Sequence, residues 1–140
     1  MKRRVLFLCT GNSARSQIAE ALLRKQAGAS FDVFSAGTAP EGVDIRAIGA
    51  LRDYDVPHEG LRSKSIDEFE GQSFDFVITL CDKARQECAN FPDTGEMIPW
   101  NFCDPKAKEG LAPFKTTLRE LNERIKMFVL VQSRGQEAVS

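Results

Sequence analysis

The chain has 140 residues, of which 42% are hydrophobic, so it is long and apolar enough to bury the core of one domain. Its 19 basic and 20 acidic residues give a formal net charge of −1, which argues against a nucleic-acid-binding protein or one that binds anionic membranes. We therefore expect a single domain over residues 1–140, in which 132–140 form a frayed tail.

The N-terminal apolar run, residues 5–9, is too short for a membrane span or for the core of a signal peptide. Four cysteines are too few for a disulfide scaffold. We therefore expect a cytoplasmic protein whose cysteines remain thiols and serve packing, metal binding or redox chemistry.

Strand and helix signals alternate along the chain, judged from apolar periodicity, capping residues and glycine stops. In chain order the prediction is strand 5–8, helix 16–27, strand 31–35, helix 44–51 capped by Asp44, short helix 65–69 capped by Ser65 with Glu68 at the spacing of a capping box, strand 74–80, helix 82–89, strand 96–99 and helix 113–131. This alternation predicts a parallel sheet covered on both faces. Ligands bind such sheets at the carboxyl ends of the strands, and two of these ends carry cysteine, Cys9 and Cys81.

The segment 9–16, CTGNSARS, follows the first strand and opens the first helix. A loop in this position directs backbone N–H groups toward one point, and the helix dipole adds positive charge. Gly11 and Asn12 tolerate the positive φ that such a loop needs, and Arg15 can donate two N–H groups to an anion. The same field favours the thiolate of Cys9, to which Ser16 can donate a hydrogen bond. The alternative is a buried cysteine unrelated to the arginine.

Segment 9–16, together with Ser35-Ala36-Gly37-Thr38 and Asp104-Pro105, closely resembles the low-molecular-weight protein tyrosine phosphatase superfamily. The resemblance implies a four-stranded parallel sheet flanked by helices on both faces, with the oxyanion loop after the first strand. It implies that Cys9 is the nucleophile and Asp104 the general acid, although an Asp before Pro is by itself more often a turn former. It also implies an oxyanion site made of Thr10, Gly11, Asn12, Ser13, Ala14, Arg15 and Ser16.

The pattern Thr79-Leu80-Cys81 followed by Cys88 resembles the arsenate reductases of this superfamily, which couple to thioredoxin. That resemblance implies a relay of Cys9, Cys81 and Cys88. From spacing alone, structural burial of Cys81 and Cys88 remains open, whereas a zinc site is disfavoured. Cys103 is expected to serve packing, with an accessory redox role left open.

Two departures from the family patterns are visible. Ala89 stands where these reductases often carry proline, and Lys106-Ala107 stand where the phosphatases carry tyrosines, which weakens a tyrosine-phosphatase interpretation. Some relatives bind potassium through side chains matching Asn12, Glu20 and Ser35 and an aspartate whose position here is Lys64. We expect the Lys64 ammonium to replace the cation, so no metal site is predicted.

The resemblance therefore implies reduction of arsenate to arsenite. Cys9 attacks an arsenate held by the loop and Arg15, Cys81 attacks the Cys9 sulfur, and Cys88 takes over the disulfide for reduction by thioredoxin. No bound cofactor is needed, and the chain is expected to act as a monomer without nucleic-acid or membrane partners. The alternatives are a phosphatase that hydrolyses phosphate monoesters through a phosphocysteine, and an oxyanion-binding or redox-sensing module without turnover.

Overall fold

A computed structural model of the chain describes residues 2–81, Ala84 and residues 94–139. Cys88, and the predicted helix 82–89 apart from Ala84, lie outside the described residues. The elements are β1 (Arg3–Cys9), α1 (Arg15–Ala27), β2 (Phe31–Gly37), α2 (Ile45–Asp53), a 3₁₀ helix (Ile66–Phe69), β3 (Phe74–Thr79), β4 (Thr94–Pro99), a second 3₁₀ helix (Pro105–Ala107) and α3 (Ala112–Val139).

The four strands form one parallel sheet in the order β2-β1-β3-β4, which confirms the predicted architecture. In the register, Cys9 lies beside Gly37 on one neighbouring strand, and Leu8 lies beside Thr79 on the other. The carboxyl ends of β1, β2 and β3 therefore meet at one edge of the sheet. This edge carries Cys9 and, two residues after β3, Cys81.

Alternate residues of β1 face opposite sides of the sheet, as the two-residue period of a strand requires. Val5, Phe7 and Cys9 belong to a core cluster shared with α1, α2 and α3, whereas Leu6 and Leu8 belong to a second cluster. The second cluster contains Phe69 of the first 3₁₀ helix, and Ala84. Both faces of β1 are buried, which explains its continuous apolar run.

The helix starts follow the predicted capping residues, with one change of helix type. Asp44 caps α2, accepting a 2.8 Å bond from the Arg46 N–H. Ser65 accepts from the Asp67 N–H at 3.1 Å, but the following turn is a 3₁₀ helix. The Glu68 side chain, expected to complete a capping box, instead pairs with Arg62 at 2.7 Å. The charged guanidinium of Arg62 binds the Glu68 carboxylate more strongly than the neutral backbone N–H of Ser65 would.

The last helix is longer than predicted, since α3 continues past residue 131 to Val139 and the expected tail at 132–140 is largely helical. Most residues of 132–139 are tolerated in helices, and the single Gly135 costs only about 1 kcal/mol relative to alanine. Within the described ranges, no helix is both long enough and apolar enough to cross a membrane.

Candidate active site

The loop between Cys9 and Arg15 is shaped by one residue in the left-handed region. Asn12 has φ +47°, as the sequence predicted, and it is fully buried. Gly11 does not use a positive φ, so that part of the expectation is wrong. A Cβ at position 11 would lie 3.2 Å from Cδ of Glu41, a tight contact that the exposed Glu41 side chain can relieve by a small shift.

The Asn12 side chain holds the loop from behind. Its Oδ1 accepts hydrogen bonds from the Lys64 backbone N–H at 2.7 Å and from Nε2 of Gln17 at 3.1 Å. These two donors fix the orientation of the amide, so Nδ2 points the other way and donates to Oγ of Ser16 at 2.7 Å.

Oγ of Ser16 in turn lies 2.9 Å from Sγ of Cys9. Because Asn12 already donates to this oxygen, the serine hydroxyl hydrogen is available to the sulfur. The hydroxyl is thus placed to donate a hydrogen bond to Sγ. Cys9 itself is 3% exposed and ends β1, where it belongs to the apolar core on one side and opens to the loop on the other.

The end of β2 lies directly against the loop. A Cβ on Gly37 would come within 2.5 Å of the Thr10 carbonyl oxygen and 2.9 Å of Asn12 atoms, so no other residue fits without movement. Beyond β2, the N–H groups of Ala39 and Glu41 donate to the carbonyls of Thr10 and Gly11, both at 2.9 Å. These bonds satisfy the carbonyls of Thr10 and Gly11 and tie the loop to the segment after β2.

Arg15 and Asp104 meet across the pocket. Nη1 of Arg15 donates to the Phe102 carbonyl at 2.9 Å and to the Leu80 carbonyl at 3.4 Å, and Nη2 lies 3.7 Å from Oδ2 of Asp104. The arginine side chain is 12% exposed and the aspartate 44% exposed. Asp104 also caps the second 3₁₀ helix, because its Oδ1 accepts from the Lys106 N–H at 3.0 Å. The residue is thus both the turn former and a pocket residue.

These residues surround a cavity of about 190 Å³ above Cys9. Of the predicted oxyanion-binding residues, Asn12 and Ser16 do not line it, since their buried side chains support the loop from behind. Two lining residues were not predicted, Glu41 and Lys106, and no sequence pattern marks the pair. The complete lining is Cys9, Thr10, Gly11, Ser13, Ala14, Arg15, Glu41, Asp104 and Lys106.

Two further cysteines lie near this site. Cys81 is a half-buried free thiol whose Sγ lies 3.5 Å from Oγ1 of Thr10, in the oxyanion loop. Cys103 is exposed, so the prediction that it serves packing is wrong. The neighbouring side chain of Phe102 packs against Trp100, with ring centroids 6.4 Å apart. Cys103 follows it in the non-helical segment after β4, where its own side chain faces solvent.

Lys64 lies behind the loop with the side chains predicted to surround it. Its Nζ is 3.6 Å from Oε1 of Glu20, 3.5 Å from Oγ of Ser35 and 2.7 Å from the Arg62 carbonyl. Burial lowers the pKa of Lys64, and the Glu20 carboxylate acts in the opposite direction. In the ranges that the structure describes, no group of three or more His, Cys, Asp or Glu side chains could hold a metal ion.

Comparisons with known proteins agree with this architecture. The family model of the low molecular weight phosphotyrosine protein phosphatases matches residues 4–137. An arsenate reductase of Halalkalibacterium halodurans is 38% identical over 132 residues, which cover 91% of this chain and 95% of that protein. An arsenate reductase of Bacillus cereus is 39% identical over 127 residues, covering 91% and 94%.

Among solved structures, an arsenate reductase in the phosphate binding state superimposes with a TM-score of 0.77 at 28% identity, covering 93% of this chain and 98% of that one. The thioredoxin-dependent arsenate reductase of Corynebacterium glutamicum gives a TM-score of 0.77 at 26% identity, covering 96% and 63%. The family model matches nearly the whole chain, and the loop, Arg15 and Asp104 line one pocket. The chain therefore belongs to the low molecular weight phosphotyrosine protein phosphatase family.

Proposed function

We propose that this chain reduces arsenate to arsenite and is recycled by thioredoxin. The observation that carries the proposal is the second thiol, Cys81, 3.5 Å from Thr10 of the oxyanion loop. Phosphate ester hydrolysis has no use for a thiol there, whereas reduction of arsenate requires two electrons from a pair of thiols. The relatives named arsenate reductase, 38% and 39% identical, support the same function.

The first step is attack of the Cys9 thiolate on arsenic. The loop N–H groups and Arg15 hold the oxyanion, a sulfur–arsenic bond forms, and one oxygen leaves. The leaving oxygen is a hydroxyl group of the arsenate; Asp104 gives it a second proton, and it departs as water. The separation of 3.7 Å between Asp104 and Arg15 supports this role, because both side chains then reach the same bound anion.

The second step transfers the electrons. The thiolate of Cys81 attacks the sulfur of Cys9, a disulfide forms, and the sulfur–arsenic bond breaks with its electron pair remaining on arsenic. Arsenic is thereby reduced to arsenite, and the two cysteines are oxidised. Cys88, which lies outside the described residues, then attacks Cys81 and releases Cys9 as a thiolate.

The cycle closes when an external dithiol, thioredoxin, reduces the Cys81–Cys88 disulfide. No bound cofactor takes part, and one copy of the chain is sufficient. A thiol relay of this kind suits the reducing cytoplasm predicted from the sequence. The thioredoxin-dependent reductase of Corynebacterium glutamicum supports the choice of reductant.

Phosphatase activity is the second candidate function. Cys9, Arg15 and Asp104 are also the groups that hydrolysis of a phosphate monoester through a phosphocysteine requires, and they line the same cavity. Both functions begin with attack of the Cys9 thiolate on the central atom of the oxyanion. In the phosphatase water next attacks phosphorus, whereas in the reductase Cys81 attacks the Cys9 sulfur and arsenic is reduced.

The test is arsenate-dependent NADPH oxidation in the presence of thioredoxin and thioredoxin reductase, run beside hydrolysis of an aryl phosphate. Cys81→Ser should abolish arsenate turnover and leave any aryl phosphate hydrolysis in place. Cys103→Ser is the matched control, because it removes an exposed thiol of the same chain. Sustained arsenate reduction by Cys81→Ser would refute the relay, and aryl phosphate hydrolysis without arsenate turnover in the wild type would favour the phosphatase.

A further inference from the structure

An ion pair spans the mouth of the oxyanion pocket. Nζ of Lys106 lies 2.6 Å from Oε2 of Glu41 and 3.1 Å from Oγ of Ser13, and all three residues line the pocket. Lys106 comes from the second 3₁₀ helix and Glu41 from the segment after β2. Neither residue has a part in the thiol chemistry described above.

We propose that Lys106 is a specificity-determining residue, whose ammonium binds the outermost oxygen of an inorganic oxyanion and so selects free arsenate or phosphate over their organic esters. The inference rests on the proposed oxyanion chemistry of this pocket. It adds a second cation opposite Arg15 and identifies the substrate as a small ion with no organic group.

Geometry supplies the first argument. An ammonium group has three N–H donors. Of the residues that the structure describes, only Ser13 and Glu41 accept hydrogen bonds from Lys106, so one donor remains for a bound anion. Ser13 belongs to the loop that surrounds the anion, and the Lys106 ammonium contacts it directly. The remaining donor therefore lies beside the anion site. Arg15 is held by the Phe102 and Leu80 carbonyls, which puts the two cations on different sides of the pocket.

Charge supplies the second argument. The pocket is lined by two cations, Arg15 and Lys106, and by two carboxylates, Glu41 and Asp104. The two members of the Lys106–Glu41 pair differ in their exposure to solvent. The Glu41 side chain is 57% exposed and the Lys106 side chain 29% exposed, so water screens the carboxylate more than the ammonium. The field of Lys106 also reaches Asp44, whose pKa is lowered mainly by its hydrogen bond to Arg46 and to a smaller extent by Lys106.

Crowding supplies the third argument. The oxygen opposite Cys9 is the one that leaves, so it points toward Asp104 and the mouth of the pocket. In an ester this oxygen carries the organic group, which would have to pass the Lys106–Glu41 pair in a cavity of only about 190 Å³. In a free oxyanion the same oxygen carries no organic group, and it can accept a hydrogen bond from Lys106 directly.

Binding measurements test the proposal without any turnover. The probes are inorganic phosphate and phenylphosphonate, a stable anion in which a phenyl group replaces one oxygen, titrated calorimetrically into the reduced protein. In Lys106→Ala the Kd of phosphate should rise about tenfold, the loss of one hydrogen bond to a charged group. The Kd of phenylphosphonate should stay the same or fall. Lys106→Arg should retain phosphate affinity, and Lys108→Ala, which removes an exposed lysine two residues away, should match the wild type.

Two outcomes would overturn the proposal. An unchanged phosphate Kd in Lys106→Ala would show that the ammonium does not bind the anion. An equal loss for both probes would show that Lys106 only holds the loops in place. Melting temperatures of all variants identify any that fail to fold, in which case Lys106→Gln replaces the alanine variant. Because phosphate is unreactive, failure of arsenate reduction would leave this result interpretable, and loss of selectivity with intact arsenate reduction would leave the proposed function standing.

Discussion

Two lysines flank the oxyanion loop, and they differ in almost every physical respect. Lys64 lies behind the loop, about nine-tenths buried, against Glu20 and Ser35. Lys106 lies in front of it, partly exposed, with a carboxylate that is mostly in water. The comparison teaches that a buried ammonium depends on the protein groups around it, because losing one partner leaves a charge without water, whereas a partly exposed ammonium can exchange a partner for water.

The largest effect is expected behind the loop. Lys64→Met removes one of the two cations beside the buried Glu20 carboxylate, which keeps Arg24 at 2.9 Å. The cost should therefore be about 1.5–3 kcal/mol, that of losing one interaction with a charged group, and not the full cost of leaving a buried charge unpaired. Lys106→Met breaks a surface pair and should cost less than about 1 kcal/mol. Urea unfolding of both variants measures the free energies of unfolding.

A Lys64→Met variant that also carries Glu20→Gln serves as the control, since it removes both charges and should recover part of the stability. Equal costs for Lys64→Met and Lys106→Met would remove the distinction between the two lysines.

The second effect concerns rate and is expected only in front of the loop. Asp104→Asn removes the proton donor and should slow the first chemical step about 100-fold or more. Oxyanion affinity and the free energy of unfolding should stay nearly unchanged, because the acid acts in the transition state and its side chain is 44% exposed. Single-turnover kinetics with arsenate measure the step. A wild-type rate in this variant would remove Asp104 from the mechanism.

The smallest effect is expected from the choice of cation. If the Lys64 ammonium occupies the position that potassium fills in some relatives, melting temperature and activity should agree within error between potassium and sodium buffers of equal ionic strength. A melting temperature that rises specifically with potassium would mean that a cation binds behind the loop despite Lys64. The Lys64→Met variant is the matched comparison. It removes the ammonium from this position, so its melting temperature should respond to potassium more than that of the wild type.

Much of the fold could be predicted because its signals are local. The apolar run at residues 5–8 marks a strand buried on both faces, and Asp44 marks the start of α2. The loop could be predicted for the same reason, since Cys9, Asn12 and Arg15 are close in sequence. Where the prediction differed, non-local or solvent effects decided: Arg62 drew Glu68 away from the expected cap, and the thiol of Cys103 is exposed.

The front of the pocket could not be predicted from the sequence. Glu41 and Lys106 are 65 positions apart, and each looks like an ordinary surface charge. Their pairing depends on how the segment after β2 and the second 3₁₀ helix approach each other across the loop. Asn12 and Ser16 illustrate the converse, because their motif positions suggested anion contact, whereas three-dimensional packing turns both side chains behind the loop.

The contact between Gly37 and the loop limits how this protein can be re-engineered. With only 2.5 Å between a position-37 Cβ and the Thr10 carbonyl, even alanine would displace the loop or the end of β2. A randomised library should therefore leave this glycine fixed. An oxyanion loop grafted onto another scaffold would need the end of β2 transplanted with it. Residues 9–16 alone lack Gly37, against which the loop backbone packs.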